Sequence, residues 1–139
     1  MNIFNNYRVI IEQIVADFVA IGSLPQDLPI DRISVEPPRD PSHGDISTNV
    51  AMVLSKPAGQ KPRALAEMIS AKLSDADGVE KVEIAGPGFV NLRLERALWH
   101  GQLRQILSEG VFYGDSDLGG GKSINIEYVS ANPTGPMHV

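Results

Sequence analysis

Phe4, Tyr7, Ile11, Ile14, Val15 and Phe18 recur at intervals of three and four, with Asn5, Arg8, Glu12 and Asp17 between them. That period predicts an amphipathic helix over residues 3–21, with Gly22 near its end. Its polar face is not basic, so a core-facing helix fits it better than a membrane-surface one. Residues 23–31 read as a Pro-punctuated loop. "ISVEPP" offers a short strand at 32–36, which Pro37, Pro38 and Pro41 then force into a turn or irregular segment. In "HGDISTNVAMVLSK" Gly44 marks a turn, 45–48 can pair as a strand and 49–56 look helical. Pro62 suits a first helical position, and Leu65, Met68, Ile69 and Leu73 give 62–74 an apolar face.

The clearest β signal is "VEKVEIAGPGFVNLRLE". Val79, Val82 and Ile84 precede Gly86-Pro87-Gly88, and Phe89, Val90, Leu92 and Leu94 follow it. Strands at 79–85 and 88–95 joined as a hairpin are the natural reading. Helical spacing returns over 96–110 through Leu98, Leu103, Ile106 and Leu107. At "YGDSDLGGGKS" the composition shifts to turn formers, and "INIEYV" at 124–129 alternates again as a strand. The order is α-β-β-α-β-β-α, then a linker and one further strand. The fold class expected is α+β: a two-layer α-β-β-α-β-β domain with a small sheet packed by helices. Domain boundaries follow at 1–112, a Gly-rich linker at 113–122, and a new domain beginning at 123–139.

Composition narrows the class. The 139 residues carry 42% hydrophobic and 21% charged side chains and no cysteine, which fits a globular protein without disulfide or thiolate metal sites. No basic segment precedes the first helix and no apolar run approaches a membrane span, so a cytoplasmic, non-membrane protein is expected. The formal charge of -5 argues against non-specific nucleic-acid binding while leaving room for a local patch. One such stretch exists: residues 46–66 contain Lys56, Lys61 and Arg63 and no acidic residue. It suits a solvated face, or a contact to a phosphate backbone.

Two apparent motifs weaken on inspection. Gly121-Lys122-Ser123 resembles the end of a phosphate-binding loop, but Ser116 stands where that pattern needs glycine, and a strand pattern follows where it needs a helix. His43-Gly44-Asp45 has neither His100 nor His138 at ligand spacing. A turn in which Asp45 accepts from nearby amides explains it, and no metal site is expected. "GPGFVN" carries more. The turn delivers Phe89 and Asn91 two residues apart, hence on one face of a strand. A ring that stacks beside an amide that bonds a base edge is the minimum kit for reading one unstacked base. Spacing alone leaves open whether Phe89 is that ring or core. In "IEYVSANPTGPMHV", Pro133 and Pro136 stiffen a loop and Gly135 lets backbone approach a ligand. Ser130, Asn132 and His138 supply polar groups there, beside the carboxylate of Glu127. This is a candidate small-molecule site at the end of a strand.

At this last stretch the sequence closely resembles the arginyl-tRNA synthetases of bacterial type. "EYVSANPTGPMHV" looks like their entry to the class I signature, and "HGDISTNVAMVLSK" and "VEKVEIAGPGFVN" resemble landmarks of their amino-terminal additional domain. The resemblance implies ATP-dependent activation of arginine, with Mg2+ accompanying ATP, and transfer to the 3′ end of its tRNA. The partners implied are tRNA for arginine, arginine and ATP, in a monomeric parent enzyme. It places 123–139 at the first strand of a Rossmann-type catalytic domain. The signature region would comprise Ala131, Asn132, Pro133, Thr134, Gly135, Pro136, Met137, His138 and Val139. Glu127 would bind the arginine side chain, Ser130 and Asn132 its α-amino end or neighbouring polar atoms, and His138 would contact ATP as the catalytic histidine. A carboxylate and amide expecting a guanidinium can discriminate by ~10⁴ against amino acids that leave them unpaired. Phe89 and Asn91 match the positions that read a D-loop nucleotide at the tRNA elbow. The chain so read is an amino-terminal part of such a ligase. It lacks the second signature histidine and is expected to be inactive alone. The alternative is a stand-alone RNA-binding module without catalysis, and a third is a structural α+β domain that binds no nucleic acid.

Overall fold

In the computed structural model, which describes residues 2–117, 119–127, 130 and 135, the first helix forms where the apolar stripe predicts it. Helix α1 runs Ile3–Ala20 and buries Ile3, Tyr7, Ile11, Ile14, Val15 and Phe18 along one side. Asn2 caps its start, accepting from the Phe4 amide at 3.0 Å. The helix ends in a paired closure: Ser23 N–H donates to the Phe18 carbonyl and Gly22 N–H to that of Val19. Gly22 takes φ +75°, the left-handed conformation this closure needs.

Strands β1 (Val35–Glu36), β2 (Ile46–Thr48), β3 (Val79–Ala85) and β4 (Phe89–Leu94) form one antiparallel sheet in the order β1-β2-β4-β3. Between β2 and β3 lie helices α2 (Val50–Ser55) and α3 (Pro62–Leu73), the latter with proline in its first turn. α1, α2 and α3 pack as a layer against one face of the sheet. That face carries Ile46, Thr48, Val90, Leu92 and Leu94, all buried, and they meet Leu54, Leu65, Ile69 and Leu73 from the helices. The predicted two-layer α+β arrangement is present. The Gly86-Pro87-Gly88 turn closes a β3–β4 hairpin, with Ala85 opposite Phe89 and Glu83 opposite Asn91.

A loop from Pro37 to Asp45 crosses the other face. Asp40 accepts from the Ser42 amide and starts a 3-10 turn over Pro41–His43. Gly44 follows with φ +111°, and a Cβ there would stand 2.6 Å from the Leu92 carbonyl oxygen, so only glycine lets the loop lie this close to β4. Asp45 then fastens it: its amide donates to the Leu92 carbonyl at 2.8 Å and its Oδ2 accepts from the Leu94 amide at 2.8 Å. The turn expected at His43-Gly44-Asp45 is therefore found, with its bonds running to β4.

Two elements depart from the sequence expectation. The strand read at 32–36 shrinks to Val35–Glu36, because Ile30–Arg32 coil into a 3-10 turn after Pro29 and bury Ile33 beneath it. Residues 124–127 of the strand read at 124–129 take no regular structure, and Ile124 and Ile126 are exposed. Alternation makes a strand only where a neighbouring strand offers hydrogen-bond partners, and these residues have none among those described. Tyr128 and Val129 lie outside the described residues. Helix α4 covers Arg96–Glu109 and a 3-10 turn covers Gly110–Phe112. The chain divides into two compact units, residues 1–103 and 104–139, and the buried core belongs to the first.

Candidate functional site

Strand register sets the site. Glu36 pairs Ser47, Ser47 pairs Asn91 and Asn91 pairs Glu83, so these four side chains form one row across the face turned away from the helices. Phe89 and Ala85 form the next row on that face. Over the rows bends the proline-rich loop, and between loop and sheet lies a hollow of about 480 Å³. Ser47, Phe89 and Asn91 line its sheet side, Ala85 and Gly86 the hairpin end, and Glu36 to Asp40 with His43 the loop side. Phe89 and Asn91, singled out by their spacing, do converge on one cavity.

Their burial differs in a telling way. Phe89 is 41% exposed although it is a large apolar residue, whereas Asn91 is only 5% exposed although it is polar. A core role for Phe89, left open by spacing, does not hold: the ring stands at the mouth. Asn91 sits at the back, and none of the side-chain hydrogen bonds among the described residues involves its amide. Among the described residues Ser70 Oγ is the one buried side-chain polar atom without a partner, so the Asn91 amide, though its residue is mostly covered, opens to the hollow and can bond what enters it.

Charges ring the hollow with both signs. The Asp40 carboxyl is held below its usual range by the Ser42 backbone amide first, then by the Ser42 hydroxyl and the nearby His43. Glu83, beyond Asn91 in the row, is likewise lowered, chiefly by the hydrogen bond from Lys81 at 2.8 Å and its charge, and further by Arg93 and His43. Arg93 Nη2 donates to the Ser42 carbonyl at 3.3 Å and ties loop to sheet. Glu83 is paired with Lys81, Asp40 is held by Ser42, and Arg39 stands beside them, so the rim carries charges of both signs. Such a wall selects by shape and hydrogen bonding more than by charge.

The loop wall and Ser47 were missed by sequence reasoning. Three prolines within five residues, Pro37, Pro38 and Pro41, were a signal for a stiff segment but not for where it would lie. The other predicted residues are not brought together. Glu127 and Ser130 are exposed, and Gly135 is an exposed bend. Asn132 and His138, with Ala131, Pro133, Thr134, Pro136, Met137 and Val139, lie outside the described residues. Among the described residues no three His, Cys, Asp or Glu side chains group as metal ligands, and no helix is long and apolar enough to cross a membrane.

Comparison with known proteins places the sequence that builds this site in a family. The family model described as the arginyl tRNA synthetase N terminal domain matches residues 5–94, a span that ends with β4. Over all 139 residues the chain is 55% identical to an arginine–tRNA ligase of Parvibaculum lavamentivorans, 51% to one of Ruegeria pomeroyi and 50% to one of Rhodospirillum rubrum. In each case the match covers the whole of this chain and 24% of the relative, so the chain spans about a quarter of the length of these curated proteins. The hollow lined by Phe89 and Asn91 thus lies inside the matched region, and the chain belongs to the arginyl-tRNA synthetase N-terminal domain family.

Proposed function

We propose that this chain is the amino-terminal part of an arginine–tRNA ligase and that its hollow receives one unstacked nucleotide from the elbow of the tRNA. The observation that carries the reading is the pairing of an exposed Phe89 ring with the Asn91 amide, which makes no side-chain hydrogen bond within the fold and opens to the same cavity. A base stacked on the ring would offer its edge to the amide, which can both donate and accept. The mixed-charge rim leaves affinity to stacking and hydrogen bonds, which suits recognition of a particular base.

In the whole enzyme, arginine, ATP with Mg2+ and the tRNA are the substrates of this reading. Glu127, Ser130 and Asn132 would then serve arginine and His138 would serve ATP. Residues 123–139 would open its Rossmann-type catalytic domain after the 113–122 linker. The parent is read as a cytoplasmic monomer, and the 139-residue chain as unable to activate arginine by itself. The family membership and the ligase names of the relatives support the arginine–tRNA ligase part of this reading.

The test is a titration of the chain with arginine tRNA. Phe89→Ala removes the stacking platform, an effect of about 1–3 kcal/mol per base, and should weaken binding by roughly 5- to 150-fold. Asn91→Ala should weaken binding to arginine tRNA more than binding to a tRNA with another base at the elbow position. Unchanged affinity in both variants would remove the assignment.

A further inference from the structure

A second hollow of about 650 Å³ lies at the end of the sheet edge, between the 3-10 turn at Ile30–Arg32 and helix α2. Asn49, Met52, Val53 and Lys56 line it from one side, and their spacing of three, four and seven residues is that of a single helix stripe. Pro29 and Arg32 line it from the other. Its polar groups share one character. Asn49 precedes α2 but does not cap it. The Thr48 hydroxyl accepts from the Val50 amide instead, and Asn49 Oδ1 accepts from the Ser34 amide at 2.8 Å. With the oxygen so engaged, what Asn49 has left to offer is its NH2 group. Arg32 and Lys56 are exposed, and neither enters any of the ion pairs among the described residues. The polar equipment of this hollow is therefore a guanidinium, an ammonium and an amide NH2: donors throughout, two of them charged, and no carboxylate in the lining.

Its position relates it to the first hollow. Ser34 and Asn49 stand two residues along β1 and β2 from Glu36 and Ser47, which line the Phe89 hollow. Two residues of extended chain span about 7 Å. The two hollows are thus tied to the same pair of strands, about the spacing of one nucleotide apart along the chain.

We propose that the Arg32–Asn49–Lys56 hollow seats a phosphodiester of the same RNA, with the attached sugar or base over Met52, Val53 and Pro29. Donors without acceptors select an anion, and an apolar floor beside them selects a nucleotide over bare phosphate. The contact is independent of sequence, in contrast to the Asn91 amide. It rests on the RNA reading of the Phe89 hollow and is separable from it by salt dependence.

The experiment titrates the chain, Phe89→Ala and the double variant Arg32→Ala/Lys56→Ala with arginine tRNA and with an unrelated tRNA from 50 to 200 mM salt. Both substituted cations are exposed, and thermal unfolding of the double variant checks that the fold is kept. The expected result for the double variant is a loss on the order of tenfold or more at 0.1 M salt, equal for both tRNAs. The slope of log affinity against log salt should become shallower by about one for each cation removed. Phe89→Ala should weaken binding without changing that slope. A double variant that binds tRNA as the unsubstituted chain does, with the same slope, overturns the inference, whereas an unaffected Phe89→Ala overturns the base-reading assignment. Backbone shifts at Arg32 and Lys56 produced by AMP but not by a short single-stranded oligoribonucleotide would give the hollow to a free nucleotide and likewise overturn it.

Discussion

Asn91 shows how a polar residue on a sheet can be marked by what it leaves unbonded. The residue is 5% exposed, makes none of the side-chain hydrogen bonds among the described residues, and presents its amide to the hollow rather than to a partner in the fold. Asn91→Ala should therefore leave stability within about 1 kcal/mol of the parent in urea unfolding while it weakens tRNA binding. A loss of 3 kcal/mol or more would make Asn91 structural. Tyr7 is the opposite case. It is 2% exposed, and its hydroxyl donates to the Asp77 carbonyl at 3.0 Å, so it belongs to the core and its polar atom is satisfied. Burial first, then the carboxylates of Glu95 and Asp77, raises its pKa above the ordinary 10.0. The folded state then holds the phenolic proton more tightly than the unfolded state. This contribution is complete below pH 10 and is lost as pH climbs through the raised value. Stability should fall more steeply above pH 10 in the parent than in Tyr7→Phe, and parallel alkaline profiles would contradict this account.

Among the elements, β4 holds the most. It is central in the sheet, pairing β2 on one side and β3 on the other. Its even-numbered residues Val90, Leu92 and Leu94 enter the core, and its odd-numbered residues Phe89 and Asn91 line the hollow. Leu92 also gives its carbonyl to Asp45, so the strand anchors the loop that walls the site. Leu92→Ala should cost about 2–5 kcal/mol, read as a lower urea midpoint, and should lower tRNA affinity in proportion to the unfolded fraction only. A one-residue slip of β4 would exchange its two faces and destroy core and site together, which is why the Gly86-Pro87-Gly88 turn matters for both. Hydrophobic alternation made this hairpin legible in the sequence. It placed β1 at 32–36 but not its bounds, since two residues of strand carry no period and the 3-10 turn at Ile30–Arg32 takes the rest.

At the scale of the molecule, every buried core residue among those described lies between Ile3 and Leu94, and the first compact unit closes at residue 103. Shortening the chain to residues 1–103 should preserve cooperative thermal unfolding with a midpoint within a few degrees, whereas a broad, non-cooperative transition would show that residues 104–139 complete the core. The sequence by itself determined the helices, the hairpin, the α+β class and the Phe89–Asn91 pair, because apolar period, proline and glycine act over a few residues and are written locally. The resemblance carried by "EYVSANPTGPMHV" and "VEKVEIAGPGFVN" also pointed to the family that the comparisons then showed. Only the tertiary structure decided that Phe89 is exposed and Asn91 buried, since both follow from a loop arriving across fifty residues of chain. It alone brought Arg32 beside Lys56, and it alone gave the Asn49 oxygen to Ser34 and left a hollow of donors. Distance between side chains from separate elements is fixed by packing, and packing is a property of the whole fold rather than of any stretch of sequence.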